Sequence, residues 1–529
     1  MILVSGAFLI PYTVMIIVIG CPMLFMEYGF GQFFGKGALT IFKKACPLFE
    51  GIGFCYMIIN GFVCIYYNVI IALSIYYLVN SFRPELPWGS CGNHWNTEFC
   101  IALANSTNSS AIMNSTNTNK TSPSEEFWEH SLLNIDENHS IENLGSIRPF
   151  LCLSLLASWI LVVLFVSKGI RSTGKVAYVT ATFPYLMLTV LVTRGVTLSG
   201  ATDGIMYFLT PQWSKLAEPS IWFKAASQLF YSTNIGWGGM ITMASYNKKK
   251  HNCRRDAIFI NFISFFTSLY AGLAVFSIIG FMAEESDSKV EEVIKNGPEL
   301  AFIVYPRALS LMPIPQLWSV LFFIMLFTLG IGSLMVNLET VMTGLSDELR
   351  IVRKYRFTAT CIVAVCMFLL ALPQVTQGGM YVFSLFDHYA ASFSLLFTTV
   401  AECVAINWIY GSNRFCKDVS TMLGKEISVV WRVFWGGISP VVIIAIIIFN
   451  LATSQGAEYG DYTYPVWGDC IGWFITLSSI LPIPIVAAIK LIKSPGKTFL
   501  EKYRDTTSVP SQPKETEPEA VELYIMRDN

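Results

Sequence analysis

Charged residues are scarce in this chain of 529 residues: only 13% are Asp, Glu, Lys or Arg, whereas 53% are hydrophobic. A soluble protein of this length would divide into several domains with charged surfaces, so that class is excluded. The mean hydropathy of +0.53 instead indicates a polytopic protein of the lipid bilayer. The formal net charge of −1 gives no reason to expect a nucleic-acid partner.

Motifs for enzymatic chemistry are also lacking. The sequence has no complete phosphate-binding Gly-x-x-x-x-Gly-Lys-Ser/Thr loop, no His-Glu-x-x-His pair and no Cys-x-x-Cys pair. Its five histidines are spread over the predicted loops and one span end, a pattern that does not form a metal cluster. An enzyme, an ATP-driven pump and a resident cofactor are therefore not expected.

Long apolar runs are what the sequence has in abundance. About eleven of them have the length of a membrane-crossing helix, which predicts an all-α polytopic membrane protein. They lie near residues 7–33, 52–80, 149–167, 176–198, 225–246, 257–282, 317–344, 357–373, 378–410, 427–450 and 467–492. We expect a transmembrane domain over residues 1–503, followed by a polar, disordered tail over 504–529.

Basic residues indicate which loops face the cytoplasm, and they place the tail inside. The long loop 83–148 falls on the extracellular side. There Cys91 and Cys100 meet an oxidising environment, in which a disulfide between them is favoured. The loop also contains five Asn-x-Ser/Thr acceptors for N-linked glycans, at Asn105, Asn108, Asn114, Asn119 and Asn138.

The run 225–246 is long enough to cross a bilayer, yet its middle is a poor helix. The polar residues at 232–234 compete for backbone hydrogen bonds, and the glycines at 236, 238 and 239 are costly in helical form. A break at this depth is tolerated only inside protein or beside a polar cavity. Broken helices of this kind bind substrate and ions in secondary transporters. The alternative is a glycine-rich helix packed closely on a neighbour.

Four carboxylates fall within apolar runs: Glu27, Glu339, Asp387 and Glu402. Burying an ionised carboxylate in a bilayer is costly, so each is a candidate for a polar cavity or a backbone contact. The alternative for Glu27 and Glu402 is a structural role, in which the carboxylate caps a broken helix.

Small and polar residues recur on one face of the run 317–344. Leu329, Gly332 and Ser333 have helical spacing, and a Gly-Ser pair offers hard oxygens suited to a small cation. The alternative is close packing between helices. Tyr66 and Tyr67, in the middle of the second span, likewise need either a neighbouring helix or a ligand for their hydroxyl groups.

Several strings carry a resemblance to one family. They are Gly-Ala-Phe-Leu-Ile-Pro-Tyr at 6–12, Pro-Trp-Gly-Ser-Cys at 87–91, Thr-Gly-Lys-Val-Ala-Tyr-Val-Thr-Ala-Thr-Phe-Pro-Tyr at 173–185, Ala-Ser-Tyr-Asn at 244–247, Gly-Pro-Glu-Leu-Ala-Phe at 297–302 and Ile-Tyr-Gly at 409–411. Over nearly its whole length the chain resembles the neurotransmitter:sodium symporters (solute carrier family 6). These are Na⁺/Cl⁻-coupled importers of amino acids and amines. The resemblance implies twelve spans with inverted repeats around two broken helices, the first and the sixth.

The resemblance also implies the roles of particular residues. The run 225–246 resembles the sixth helix, and the substrate site would be formed by Tyr67, Tyr231, Ser232, Asn234, Gly236, Trp237 and Ser333. Sodium would be bound by Ser232, Ser264, Leu329, Gly332 and Ser333. Chloride would be bound by Tyr12, Gln228, Ser232 and Ser268. Asp387 and Asp347 resemble the acidic halves of the extracellular and intracellular gates.

Three departures from the family pattern bear on these expectations. The family's first helix should lie upstream of Gly6, and we expect it to be missing from this chain. Ser264 stands where most members have an asparagine that binds sodium. Gly332 stands where chloride-dependent members usually have an aspartate, which leaves the chloride requirement open.

Trp237 narrows the range of expected substrates, because a large ring just past the break would shrink the pocket and favour small amino acids. Packing within the membrane is the alternative for this ring. We therefore expect a plasma-membrane symporter of small neutral amino acids such as glycine, coupled to Na⁺ and Cl⁻. The other hypothesis is a truncated, transport-dead relative that acts by assembling with copies of itself or with full-length transporters.

Overall fold

The computed structural model describes residues 6–101, 121–135, 139–167, 170–286, 288–293, 297–453, 456–460 and 462–507. Within these ranges the α-helices are α1 (Leu9–Met15), α2 (Cys21–Phe34), α3 (Ala38–Ala45), α4 (Gly51–Asn80), α5 (Pro123–Glu126), α6 (Pro149–Val166), α7 (Ile170–Val196), α8 (Ala201–Leu209), α9 (Pro219–Thr233), α10 (Gly239–Ala244), α11 (Cys253–Glu285), α12 (Val290–Val293), α13 (Tyr305–Ser310), α14 (Pro315–Glu348), α15 (Arg350–Lys354), α16 (Arg356–Ala371), α17 (Gly379–Tyr389), α18 (Ser392–Cys403), α19 (Ser412–Leu423), α20 (Val429–Val433), α21 (Ser439–Thr453), α22 (Val466–Ile480), α23 (Pro482–Lys493) and α24 (Phe499–Thr507). The predicted all-α class is confirmed.

Other elements are short. Tighter 3₁₀ turns occupy Gly6–Phe8, Pro47–Phe49, Trp213–Ala217 and Leu372–Val375. Wider π segments occupy Ile16–Gly20, Phe127–Leu133, Leu300–Val304, Val404–Gly411 and Phe434–Ile438. Two strands, β1 (Glu458–Tyr459) and β2 (Tyr462–Thr463), pair antiparallel with Glu458 opposite Thr463. This small sheet was not predicted, because each strand has only two residues.

Nine helices in the described ranges are long and apolar enough to cross a membrane, and a tenth span results if α22 and α23, bent by 42°, count as one. The nine are Leu9–Phe34, Pro47–Asn80, Pro149–Val166, Thr173–Val196, Cys253–Glu285, Pro315–Glu348, Arg356–Val375, Gly379–Leu423 and Val429–Thr453. The run 225–246 is not among them because α9 and α10 are each too short. The described residues therefore contain nine or ten candidate spans, fewer than the eleven expected, and the interrupted run 225–246 accounts for part of the difference.

A spanning helix lies near the N-terminus. Leu9–Phe34 has a mean hydropathy of 2.2, and it continues from α1 into α2 through the π segment Ile16–Gly20. The prediction that the first membrane helix is missing is therefore not supported, because an apolar helix of membrane-crossing length occupies this end of the chain.

The hydrophobic core has two main parts, and the interrupted helix connects them. One part surrounds α4, α6 and α14 and includes Trp237. The other surrounds α2, α9, α18 and α21 and includes Phe230 and Ile235. The segment between α9 and α10 thus contributes side chains to both, which fixes its position from two sides.

The described parts of the loop 83–148 are held by a disulfide and a buried carboxylate. Cys91 and Cys100 form the predicted disulfide. Glu126 accepts hydrogen bonds from the side chains of Asn96, Thr97 and Thr121.

Two groups of predicted features fall wholly or partly outside the described residues. All five predicted glycan acceptors do so: Asn105, Asn108, Asn114, Asn119 and Asn138. Residues 504–507, the first part of the predicted disordered tail, belong to α24, and the tail from 508 to 529 is outside the description.

Candidate substrate and ion site

The predicted break in the run 225–246 is confirmed. Helix α9 ends at Thr233 and α10 begins at Gly239, so residues 234–238 lie outside both helices. Asn234, Gly236 and Gly238 have φ angles of 58°, 79° and 73°, in the left-handed region that favours glycine. A Cβ atom added to Gly236 would lie 2.3 Å from Thr399 Oγ1. The alternative of a continuous glycine-rich helix is excluded.

Neighbouring helices pair with the backbone groups that the break leaves free. The Gly236 N–H donates to Glu27 Oε1 at 2.7 Å, and Asn60 Nδ2 donates to the Trp237 carbonyl at 2.7 Å. Thr398 Oγ1 donates to the Gly236 carbonyl at 3.3 Å. Glu27 therefore contacts the broken backbone, which is the structural role considered for it from the sequence. Asn60 and Thr398 were missed, although a polar residue within an apolar run is a detectable signal.

Two of the residues expected to bind chloride, Tyr12 of α1 and Ser232 of α9, are in direct contact. Tyr12 is fully buried, and its hydroxyl lies 3.0 Å from Ser232 Oγ. Gln228 lies one turn before Ser232 on α9. Ser264 and Ser268 lie on α11 on either side of Phe265, whose ring stacks on that of Tyr12 with centroids 6.4 Å apart. Of the predicted chloride ligands, the described structure thus joins Tyr12 and Ser232 directly, and Gln228 and Ser268 remain predictions.

Aromatic side chains pack against the break. Trp237 is buried, and its ring packs edge to face with Tyr231 at a centroid distance of 5.6 Å. The Trp237 indole N–H donates to the Phe230 carbonyl at 3.2 Å. Tyr231 interacts with Tyr66, and Tyr66 interacts with Asp387. The structure thereby joins the predicted lid to the predicted outer gate through Tyr66, to which the sequence assigned no role in gating.

The remaining predicted sodium ligands lie on α14 and are more exposed than the fully buried Tyr12. Leu329 is 47% exposed and Ser333 is also exposed; Ser333 Oγ lies 3.4 Å from the Leu329 carbonyl oxygen. A Cβ atom added to Gly332 would approach Thr180 Oγ1 of α7 at 3.3 Å. Tyr67 of α4 interacts with the Ser333 side chain, which joins two of the predicted substrate residues.

Acidic residues in the C-terminal part of α14 contact neighbouring elements. Asp347, the predicted inner gate, accepts hydrogen bonds from the Gly37 N–H at 3.3 Å and from Thr40 Oγ1 at 3.2 Å. About two helical turns before Asp347, the buried Glu339 forms an ion pair with Arg356. The gate residue is therefore joined to α3, the helix that follows the first span.

The similarity to known proteins agrees with this geometry. A model of the sodium:neurotransmitter symporter family matches residues 4–494. The chain belongs to the sodium:neurotransmitter symporter family. This symporter is also 43% identical over 518 residues to the sodium- and chloride-dependent glycine transporter 1 of Xenopus laevis, across 95% of the chain and 81% of that relative.

Family membership fixes the class of activity. The symporter is a multi-pass plasma-membrane transporter rather than an enzyme, and Na⁺ is its co-transported ion. Its substrate is a small molecule that crosses the membrane with that ion.

Proposed function

We propose that the protein is a Na⁺- and Cl⁻-coupled symporter of glycine. The observation that carries the proposal is the buried Trp237 ring, which lies at the break between α9 and α10 and packs against Tyr231. A large ring at this position leaves room only for a small substrate. The relative from Xenopus laevis, whose printed name is that of a glycine transporter, supports the same substrate.

Substrate would bind at the unwound segment, between Tyr67 on one side and Tyr231 on the other. Helix ends and freed backbone groups are suited to the ammonium and carboxylate of an amino acid. In this proposal Asn234, Gly236, Ser232 and Ser333 complete the substrate site. Tyr231 covers it from outside, and Asp387 and Asp347 belong to the outer and inner gates.

Chloride would bind beside Tyr12 and Ser232, with Gln228 and Ser268 completing its site. Hydroxyl groups that point at one another across two helices can both turn their hydrogens toward an anion. Sodium would use Ser232 and Ser264 at one position and Leu329, Gly332 and Ser333 at another. These oxygen ligands are of the hard type that alkali cations prefer.

Uptake of radiolabelled amino acids by cells that express the full chain tests the proposal. Glycine accumulation should require external Na⁺ and fall when Cl⁻ is replaced by gluconate, whereas leucine should not accumulate. Trp237→Ala should admit bulkier amino acids and weaken glycine uptake, by roughly 10- to 200-fold in selectivity, the scale of a pocket-filling contact. Tyr178→Phe, at an exposed position on α7, is the matched aromatic control.

Surface labelling in the same cells separates the two functional hypotheses. Protein that reaches the surface but accumulates no amino acid under any ion gradient would contradict the symporter and favour the assembly role. Glycine uptake that is unaffected by removing Cl⁻ would contradict only the chloride part.

A further inference from the structure

Helix α17 ends and α18 begins with no local cause in the sequence. Only Ala390 and Ala391 lie between the two helices. Alanine is the residue that most favours a helix, and residues 380–410 contain neither glycine nor proline. No side chain caps the start of α18 at Ala391. Contacts with another element must therefore hold this interruption, residues 390–391, in place.

Helix α22 makes those contacts on both sides of the interruption. On the side of α17, Thr476 Oγ1 donates to the Tyr389 carbonyl at 2.7 Å. This carbonyl lies in the last turn of α17, where helices need partners from outside. On the side of α18, Ser394 Oγ donates to the Thr476 carbonyl at 3.4 Å. All three residues are buried, so one residue of α22 joins both helices away from water.

The Tyr389 side chain is held against the same helix. Its ring lies over Gly472, where an added Cβ atom would come within 2.1 Å of the ring. Its hydroxyl donates to Asp469 Oδ1 at 2.9 Å, and the same oxygen accepts from the Ala457 N–H at 3.3 Å. Because ring, hydroxyl and carbonyl all contact α22, the rotation of α17 about its axis is fixed at this point.

The interruption separates two parts of the predicted transport site. Asp387 precedes Tyr389 by two residues, a step of about 200° around an α-helix, so it lies on the side of α17 that faces away from α22. On α18, Thr398 Oγ1 donates to the Gly236 carbonyl of the unwound segment. The geometry of the interruption therefore determines where Asp387 lies relative to Gly236.

We propose that Thr476 and Asp469 of α22 are positioning residues for transport, because they hold the interruption and thereby place Asp387 relative to the unwound segment 234–238. This inference deepens the proposed function and rests on it, since the gating role of Asp387 belongs to that function. Thr476 acts on both helices that flank the interruption. Asp469 acts through the hydroxyl of Tyr389.

Hydrogen–deuterium exchange of the purified protein tests the contact independently of transport. Thr476→Val keeps the shape of the side chain but removes the donor to the Tyr389 carbonyl. Backbone amides of residues 389–395 should exchange about threefold faster or more in T476V than in wild type, because local opening becomes easier. Thr476→Ser keeps the hydroxyl and should restore wild-type exchange. Thr189→Val is the matched control, since the exposed Thr189 hydroxyl bonds within α7. Equal exchange in T476V and wild type would overturn the proposal.

Uptake measurements test the effect on transport. T476V should raise the KM for glycine by roughly three- to tenfold, the scale of one hydrogen bond, while the maximal rate per surface transporter stays within about twofold. T476S should restore the wild-type KM. Asp469→Asn still accepts from the Tyr389 hydroxyl and should resemble wild type, whereas Asp469→Ala should resemble T476V. A lowered maximal rate with an unchanged KM would refute the positioning role.

A double-mutant cycle tests whether Thr476 acts through Asp387. Asp387→Glu keeps the charge but moves the carboxylate by one methylene group. If both residues act on the same gate, the double variant should raise the KM by less than the product of the two separate factors. Factors that simply multiply would contradict action through Asp387. Wild-type protein that shows the expected exchange difference from T476V but no glycine uptake would instead refute the proposed function and leave the contact between α22 and the interruption standing.

Discussion

Two groups of predicted ion ligands differ in how far the protein has assembled them. Tyr12 and Ser232 come from helices 220 residues apart in sequence, and their hydroxyl groups are already 3.0 Å from each other. Leu329 and Ser333 lie one turn apart on α14, yet both are exposed. The first pair joins two helices and includes a fully buried tyrosine, whereas the second lies on one helix and is exposed, with Tyr67 of α4 as the neighbour of Ser333.

The difference indicates which ligands are preorganised before any ion binds. Tyr12 is fully buried and Ser232 is half-buried, so this polar pair between packed helices has few alternative positions, and an ion that uses it loses little free energy in ordering the site. An exposed hydroxyl is hydrated, and water can replace it with little loss. Mutations in the buried group should therefore have larger effects than mutations on α14.

The largest effect is expected where the break itself is altered. Gly236→Ala places a side chain at a φ of 79° and within 2.3 Å of Thr399 Oγ1. Strain of about 1–2 kcal/mol from the backbone alone, with the clash added, should reduce glycine uptake by more than about tenfold. Gly61→Ala is the control, because a Cβ atom there meets nothing within 4 Å. Normal uptake by the Gly236 variant would mean that the break is not at the transport site.

Removal of the Tyr12 hydroxyl should have the next largest effect. A hydrogen bond contributes about 0.5–1.5 kcal/mol, so Tyr12→Phe should raise the chloride concentration for half-maximal uptake by roughly two- to tenfold. Its sodium dependence should change less. Tyr178→Phe, whose ring is 78% exposed, controls for the loss of a phenol. A shift in sodium dependence larger than that in chloride dependence would contradict the assignment.

The exposed group should respond more weakly. Ser333→Ala removes a hydroxyl that water can replace, and we expect the sodium concentration for half-maximal uptake to rise only about two- to threefold. Thr328→Ala on the same helix is the matched control, since its hydroxyl bonds to carbonyls of α14 alone. If Ser333→Ala raised the half-maximal sodium concentration by a larger factor than Tyr12→Phe raises the half-maximal chloride concentration, the comparison between the two groups would be reversed.

A preassembled cluster outside the membrane provides the smallest test. Burial opposes the charge of Glu126, but hydrogen bonds from Thr97, Thr121 and Asn96 outweigh it, so the pKa of Glu126 is lowered. A carboxyl group with a lowered pKa stabilises the fold above its unfolded pKa, and that stabilisation is lost as the pH falls through the folded value.

Protease resistance of the loop measures this effect. Wild-type protein should lose resistance as the pH falls below the ordinary range of a carboxyl group, whereas Glu126→Gln should be less resistant at neutral pH and respond less to acid. Identical pH profiles for the two proteins would contradict a stabilising role for the charge.

Local sequence signals predicted the fold and the break well. Apolar length identified the spans, and the clustered glycines with Asn234 identified the non-helical segment, because both properties are encoded within a few residues. The disulfide between Cys91 and Cys100 was predicted because its loop was assigned to an oxidising compartment. Each of these features depends on residues that are close together in the chain.

Contacts between distant helices were harder to predict. The sequence could single out Glu27 as unusual, but its hydrogen bond from the Gly236 N–H depends on how α2 packs against the broken helix. The same holds for Asn60, whose partner is a backbone carbonyl 177 residues away. The prediction of a missing first helix is not supported, and it differs from the others because it rested on a comparison of motifs and not on residues of the chain.

The central claim is that a preformed chloride site lies beside the break, at Tyr12 and Ser232. Crystals of the protein grown in sodium bromide would test it most directly, because bromide replaces chloride and scatters anomalously. We predict one strong anomalous peak within hydrogen-bonding distance of Tyr12 Oη and Ser232 Oγ, which is lost in Tyr12→Phe crystals. A map with no peak between these hydroxyl groups, or with its strongest protein-bound peak elsewhere, would contradict the account.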